Sequence, residues 1–129
     1  DQFGAIIINY ANPDMVGHTG NIDAAIKAIE IVDSCVGTAV MTIKSKGGAV
    51  FLTSDHGNLE MMIDPKTGDV HTAHTTFPTP FVMDLDDSSL DLIRSGKLAD
   101  IAPTILDYLD LDKPSQMTGN SLLRRNIIK

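Results

Sequence analysis

The spacing of apolar residues changes from one segment of the chain to the next. Residues 4–11, GAIIINYA, form a short continuous apolar run that is closed by Asn12, Pro13 and Asp14, which predicts a strand buried on both faces. From residue 21 onward, apolar residues recur every three or four positions, which predicts one apolar stripe along a long helix. That stripe consists of Ile22, Ile26, Ile29, Val32, Val36, Val40 and Ile43.

The rest of the pattern predicts a mixed fold. Asn21 or Asp23 could cap the start of the long helix, and KGG at 46–48 could end it. Residues 49–54 (AVFLTS) and 79–85 (TPFVMDL) predict two more buried strands, and a turn signal at 64–68 predicts a hairpin or excursion between them. A last helix is expected from about Asp100, with Pro103 in its first turn.

The order strand, long helix, strand indicates an α/β fold with a largely parallel sheet flanked by helices. Ligands of such sheets bind beyond the carboxyl ends of the strands. The segments NPDMVGH (12–18) and DHGN (55–58) follow the first two predicted strands. Both segments are therefore expected at the functional edge.

Composition narrows the class of protein. The chain has 129 residues and a formal net charge of −7, so we expect one domain with no affinity for nucleic acid or anionic membranes. No apolar run approaches the roughly 20 residues of a membrane helix. A single cysteine, Cys35, excludes an internal disulfide and fits a reducing compartment such as the cytoplasm.

All four histidines lie in three short segments that also contain aspartates. Asp14 and His18 are four residues apart, so one helical turn brings them to the same face. Asp55 and His56 are adjacent at a predicted strand end, where the turning backbone lets neighbours serve two ions. His71 and His74 flank the remaining segment, HTAH. Mixed aspartate and histidine ligands suit zinc, manganese or iron, and the lack of a cysteine set argues against a zinc finger.

Each of these motifs also has an ordinary structural interpretation. An Asp and a His four residues apart are common, Asp and Gly are usual turn residues at strand ends, and HTAH could be a solvated loop. Because every histidine lies near a predicted strand end, the combination favours a metal site over three unrelated coincidences.

The joined motifs NYANPDMVGHTGN, TSDHGN and HTAHTTFPTPFV closely resemble the family of 2,3-bisphosphoglycerate-independent (cofactor-independent) phosphoglycerate mutases. GKLADIAPTILDYLDLDKPSQMTGNSLL resembles the C-terminal end of the same family. DHGN alone indicates only the wider alkaline-phosphatase-like superfamily. Phe77 and Ser54 depart from the expected pattern, but neither replaces a ligand candidate. The resemblance implies that residues 1–129 are a C-terminal fragment of the phosphatase-like metal-binding domain, without the substrate (phosphotransferase) domain.

The resemblance also implies a reaction and its cofactors. The family is a glycolytic and gluconeogenic isomerase that interconverts 3-phosphoglycerate and 2-phosphoglycerate through a phosphoserine, with two divalent ions, usually Mn²⁺. The matching positions make Asp14, His18 and His74 ligands of one ion, with His71 the less favoured histidine of HTAH. Asp55 and His56 match part of the other ion's ligand set. No residue here matches the nucleophilic serine, so we expect the fragment alone to be inactive. Because the first part of the family's sheet is also missing, we expect an unpaired sheet edge through which the fragment self-associates.

The sequence motifs are compatible with two other functions. A related metal-dependent phosphatase, phosphodiesterase or phosphopentomutase would share DHG but not necessarily NPDMVGHTGN. A non-catalytic domain with a structural Asp/His cluster would show histidine titrations that manganese leaves unchanged.

Overall fold

The computed structural model describes residues 3–126, so the two ends of the predicted domain, 1–2 and 127–129, lie outside it. Within 3–126 the chain forms three α-helices, four short strands and two single-turn 3₁₀ helices. The α-helices and strands are α1 (Asn12–Gly17), α2 (Ile22–Lys44), β1 (Val50–Thr53), β2 (Phe81–Asp84), β3 (Leu90–Leu92), α3 (Ile101–Tyr108) and β4 (Leu123–Arg125). The 3₁₀ helices are Leu59–Met61 and Leu98–Asp100.

The long helix predicted from apolar periodicity is confirmed as α2, with 23 residues. Of the two candidate caps, Asn21 is the one used, and its side-chain oxygen accepts a hydrogen bond from the Ala24 amide at 3.0 Å. The helix ends at a turn in which Gly47 has φ +74°, a conformation that glycine adopts without strain. The Gly48 amide closes this turn on the Ile43 carbonyl at 3.0 Å.

Both described strand pairs are antiparallel, whereas the sequence predicted a largely parallel sheet. β1 pairs antiparallel with β2, with Val50 opposite Asp84 and Thr53 opposite Phe81, and β3 pairs antiparallel with β4. β1 and β2 are joined by the excursion 54–80, which contains no crossover helix. The chain therefore re-enters the sheet at the end where β1 finished, and its direction reverses. The βαβ pattern predicted parallel pairing between segment 4–11 and β1, and the described residues contain no strand in segment 4–11 that could pair with β1.

The segment 4–11, predicted as a doubly buried strand, is irregular chain without strand pairing. Its isoleucines face solvent, and Ile7 is 97% exposed. A strand exists only with a hydrogen-bonded neighbour, and the described residues supply none for this segment. The prediction of a doubly buried strand at 4–11 is therefore wrong for the described structure.

The excursion and the last helix agree with the sequence. Residues 63–70 form a small hairpin in which the Gly68 amide donates to Asp64 O at 2.8 Å. α3 begins at Ile101, directly after the 3₁₀ turn, and includes Pro103 in its first turn. The buried side chains include Ala25 and Met62 near α2, Asn58 in the turn after β1, and Asp100, Pro103, Thr104 and Leu122 near α3. Across residues 3–126, no helix has both the length and the apolar character needed to cross a membrane.

Candidate metal centre

α1 places the first two candidate ligands together. Asp14 lies in its first turn and His18 is its C-cap residue, so His18 Nε2 comes within 3.3 Å of Asp14 Oδ1. α1 packs closely on the turn that follows β1. A Cβ atom at Gly17 would come within 2.8 Å of Leu59 and would collide with Asn58, so glycine is needed for this close approach.

The excursion brings the third candidate to the same point. His74 Nε2 lies 3.0 Å from Asp14 Oδ1 and 3.2 Å from His18 Nε2. The three donor atoms all lie within 4.8 Å of one another. Bonds of about 2.1 Å in a tetrahedral zinc-type site hold ligand atoms about 3.4 Å apart. The spacing of Asp14, His18 and His74 therefore fits a single divalent ion.

The hydrogen bond of His18 leaves the correct nitrogen free for a metal. His18 Nδ1 lies 2.7 Å from the carbonyl oxygen of Thr72, and because a carbonyl only accepts, Nδ1 is the protonated nitrogen. The Nε2 lone pair then points at the other donors. A histidine that donates its second N–H to a carbonyl is the usual arrangement for a metal ligand.

Asp14 is held in its charged form. The Asn58 side-chain amide donates to Asp14 Oδ1 at 2.8 Å, and this hydrogen bond is the main reason that the pKa of Asp14 lies below its ordinary value. Burial acts in the opposite direction, and the neighbouring histidines His18, His74 and His56 lower the pKa further. Asp14 is thus a carboxylate at neutral pH, as a metal ligand must be.

The second predicted pair lies beside this cluster. The His56 ring stacks on the His74 ring, with centroids 3.6 Å apart and an interplanar angle of 16°. His56 Nε2 lies 3.6 Å from Asp55 Oδ1 and 3.9 Å from Asp14 Oδ1. The Asp55 side chain is 88% exposed. Among residues 3–126, the three-donor group contains Asp14, His18 and His74 but neither His56 nor Asp55.

His71, the alternative histidine of HTAH, is not in that group. Its Nδ1 is buried without a hydrogen-bond partner, while its backbone amide donates to Met62 O at 2.9 Å.

The sequence motifs did not identify the residues that support the donor cluster, which are Asn58, Thr72, Glu60 and Thr75. Asn58 was visible inside the DHGN motif, but only the tertiary structure shows what its side chain contacts.

A cleft of about 450 Å³ opens next to Asp55 and His56. The cleft is also lined by Thr75, Phe77 and the basic residues Arg94 and Lys97. An anionic molecule in this cleft would be near His56 and two positively charged residues.

The fold and the donor cluster define a metal-binding α/β protein, and a model of the metalloenzyme superfamily matches residues 1–113. The chain belongs to that superfamily. Over 126 residues it is 53% identical to a 2,3-bisphosphoglycerate-independent phosphoglycerate mutase of Clostridioides difficile, and the match covers 97% of this chain and 25% of the relative. A mutase of the same name from Photobacterium profundum is 54% identical over 121 residues, which are 94% of this chain and 23% of the relative.

A solved structure shows the same relationship. The chain superposes on a phosphoglycerate mutase of Leishmania mexicana, crystallised at low cobalt concentration, with a TM-score of 0.81 and 30% identity over 92% of this chain. The likeness confirms the predicted alkaline-phosphatase-like α/β fold class and the resemblance to the mutase family. The chain spans about a quarter of the length of the relatives it matches.

Proposed function

We propose that this chain is the metal-binding part of a phosphoglycerate mutase, which interconverts 3-phosphoglycerate and 2-phosphoglycerate in cytoplasmic glycolysis and gluconeogenesis. The observation that supports it most is the convergence of Asp14, His18 and His74 donors within 4.8 Å. The names and identities of the relatives favour the mutase over the related phosphatases, phosphodiesterases and phosphopentomutases.

In this proposal two divalent ions, preferably Mn²⁺, bind at the strand-end edge. Asp14, His18 and His74 hold the first ion, and Asp55 and His56 contribute to the second. Such ions lower the pKa of an attacking hydroxyl and neutralise charge on phosphoryl oxygens. Carboxylate and imidazole donors are compatible with Mn²⁺.

Other residues of the chain set the charge of Asp14 and the tautomer of His18 at this site. Asn58 keeps Asp14 ionised, and Thr72 keeps the proton of His18 on Nδ1. Arg94 and Lys97, which line the cleft, attract the negative charge of a phosphorylated acid.

We assign residues 1–129 to part of the phosphatase-like domain, because the chain spans only about a quarter of its relatives. The nucleophilic serine, the rest of the second ion's ligands and the substrate domain then belong to sequence beyond the matched region. The isolated chain is accordingly expected to be inactive.

A chimera tests the function directly. The matched segment of the Clostridioides difficile mutase would be replaced by this chain, and conversion of 3-phosphoglycerate followed by ³¹P NMR in Mn²⁺. We expect turnover by the chimera, background rates for its His74→Ala variant and for the isolated chain, and full activity for the control Glu30→Ala. Glu30 is an exposed residue of α2. A folded, Mn²⁺-loaded chimera that hydrolyses p-nitrophenyl phosphate but does not isomerise phosphoglycerate would instead favour a phosphatase.

A further inference from the structure

A hydrogen-bonded network next to the donor cluster joins the segment that contains His56 to the segment that contains His74. Glu60 is its centre: one carboxylate oxygen accepts from the Asn58 backbone amide at 2.7 Å, and the other accepts from the Thr75 hydroxyl. Thr75 follows His74 in the chain, and Asn58 lies two residues after His56. A single carboxylate therefore ties the turn after β1 to the HTAH segment.

The backbone completes this connection. The Thr75 amide donates to Gly57 O at 2.9 Å, as an isolated antiparallel bridge. A Cβ atom at Gly57 would collide with both the Glu60 carboxylate and the Thr75 hydroxyl. The two segments approach as closely as a glycine permits, so His56 and His74 stack.

Asn58 extends the network to α1. It is only 5% exposed, and its side-chain amide donates to Asp14 Oδ1 at 2.8 Å. Asn58 thus contacts the Asp14 donor through its side chain and Glu60 through its backbone. This connected set of hydrogen bonds contacts the Asp14 donor directly and reaches the His74 donor through its chain neighbour Thr75.

We propose that Asn58 and Glu60 are positioning residues, which hold Asp14 and His74 in the geometry of the metal-binding cluster before any ion arrives. The part of this inference that concerns ion affinity rests on the proposed function. The part that concerns the arrangement of the histidine rings is a property of the free protein and can be measured without metal.

The first experiment measures Mn²⁺ affinity by calorimetry. Loss of a residue that orients metal ligands typically weakens binding by about 10- to 100-fold, and we expect such a loss in Glu60→Ala and in Asn58→Ala. Glu30→Ala removes the same chemical groups from an exposed site on α2 and should leave the affinity unchanged. Thr75→Val should weaken binding, whereas Thr75→Ser, which retains the hydroxyl, should restore it.

The second experiment follows the metal-free protein by NMR. The nuclear Overhauser effect between the His56 and His74 rings should be strong in the parent, in Thr75→Ser and in Glu30→Ala. It should weaken in Glu60→Ala and Thr75→Val while the amide spectrum still reports a folded chain. If Glu60→Ala unfolds, the comparison of Thr75→Val with Thr75→Ser gives the decision.

An unchanged ring contact in folded Glu60→Ala and Thr75→Val would overturn the inference, as would unchanged Mn²⁺ affinity in both. Failure of the parent to bind Mn²⁺ would count against the proposed function, and the ring contact would still decide the positioning role.

Discussion

Thr104 is the most completely buried side chain of the described residues, and its hydroxyl makes two hydrogen bonds. It donates to Asp100 O at 2.7 Å within the helical segment and accepts from the Leu122 amide at 2.9 Å. The second bond attaches the segment before β4 to α3. Asp100 and Leu122 are both buried. If the hydroxyl is removed, water therefore cannot replace it as the hydrogen-bond partner of the Leu122 amide.

We predict that Thr104→Val destabilises the chain by about 1–3 kcal/mol, since the valine leaves the Leu122 amide unsatisfied. Thr104→Ser keeps the hydroxyl and should cost only about 0.8 kcal/mol for the lost methyl group. Urea unfolding of the three proteins measures the difference. A serine variant that is less stable than the valine variant would contradict the role given to the hydroxyl.

The sequence predicted the position of some site residues but not of others. The four-residue spacing of Asp14 and His18 was sufficient to place them together, because a helical turn is local. The bond from Asn58 to Asp14 joins residues 44 positions apart, and no local pattern reports it. The assignment of His74 rather than His71 as a ligand stays a prediction, since an ion must bind to test it.

Among the elements, α2 was predictable in both type and extent. Its apolar spacing repeats over 23 residues. A periodicity of that length identifies a helix even where single residues depart from the pattern. The start of the helix depends on one side chain, because the Asn21 oxygen satisfies the otherwise free amide of Ala24.

We therefore predict that Asn21→Ala destabilises the chain by about 1 kcal/mol, whereas Asn21→Asp, which keeps an acceptor oxygen, costs little. Thermal unfolding monitored by the helical circular dichroism signal measures both. Equal stability of the alanine and aspartate variants would show that the cap contributes nothing.

The strands were less predictable than the helices. An apolar run such as GAVFL identifies a segment that can be buried, but it does not identify the neighbour or its direction. β2 runs antiparallel to β1 because the 27-residue excursion 54–80 between them contains no crossover helix. Local sequence patterns do not predict the path of such an excursion. The segment 4–11 illustrates the same limit, because its isoleucines have no paired neighbour in the described structure.

The molecule as a whole exposes more surface than a folded monomer of its mass. Its accessible area is 9482 Å², whereas a monomer of 13.9 kDa is expected to expose about 6,700 Å². The excess of roughly 2,800 Å² on one chain is comparable to one partner's share of a very large interface, which buries about 5,000 Å² or more counted over both partners. Ile26 and Ile29 of α2 are among the exposed apolar side chains, and with Leu59 and Met62 they line an apolar depression.

We predict that the isolated chain self-associates through this surface, with a second copy covering the apolar face of α2. Sedimentation velocity across micromolar to millimolar concentrations measures it. The double variant Ile26→Gln/Ile29→Gln should shift the distribution toward monomer, and Lys27→Gln on the same helix should not. A parent chain that stays monomeric throughout would contradict this prediction.

The superfamily was also predictable, because DHGN alone already indicates it and the two other motifs occur with DHGN in the same chain. Their combination describes a set of donors that only the fold brings together. The proposed function requires that Asp14, His18 and His74 form one divalent-metal site.

Calorimetric titration of Mn²⁺ into the purified chain, beside Asp14→Ala and His74→Ala, tests that claim most directly. We predict saturable binding to the parent that is lost in both variants, because each removes one of three converging donors. No binding to the parent, or unchanged binding in either variant, would contradict it.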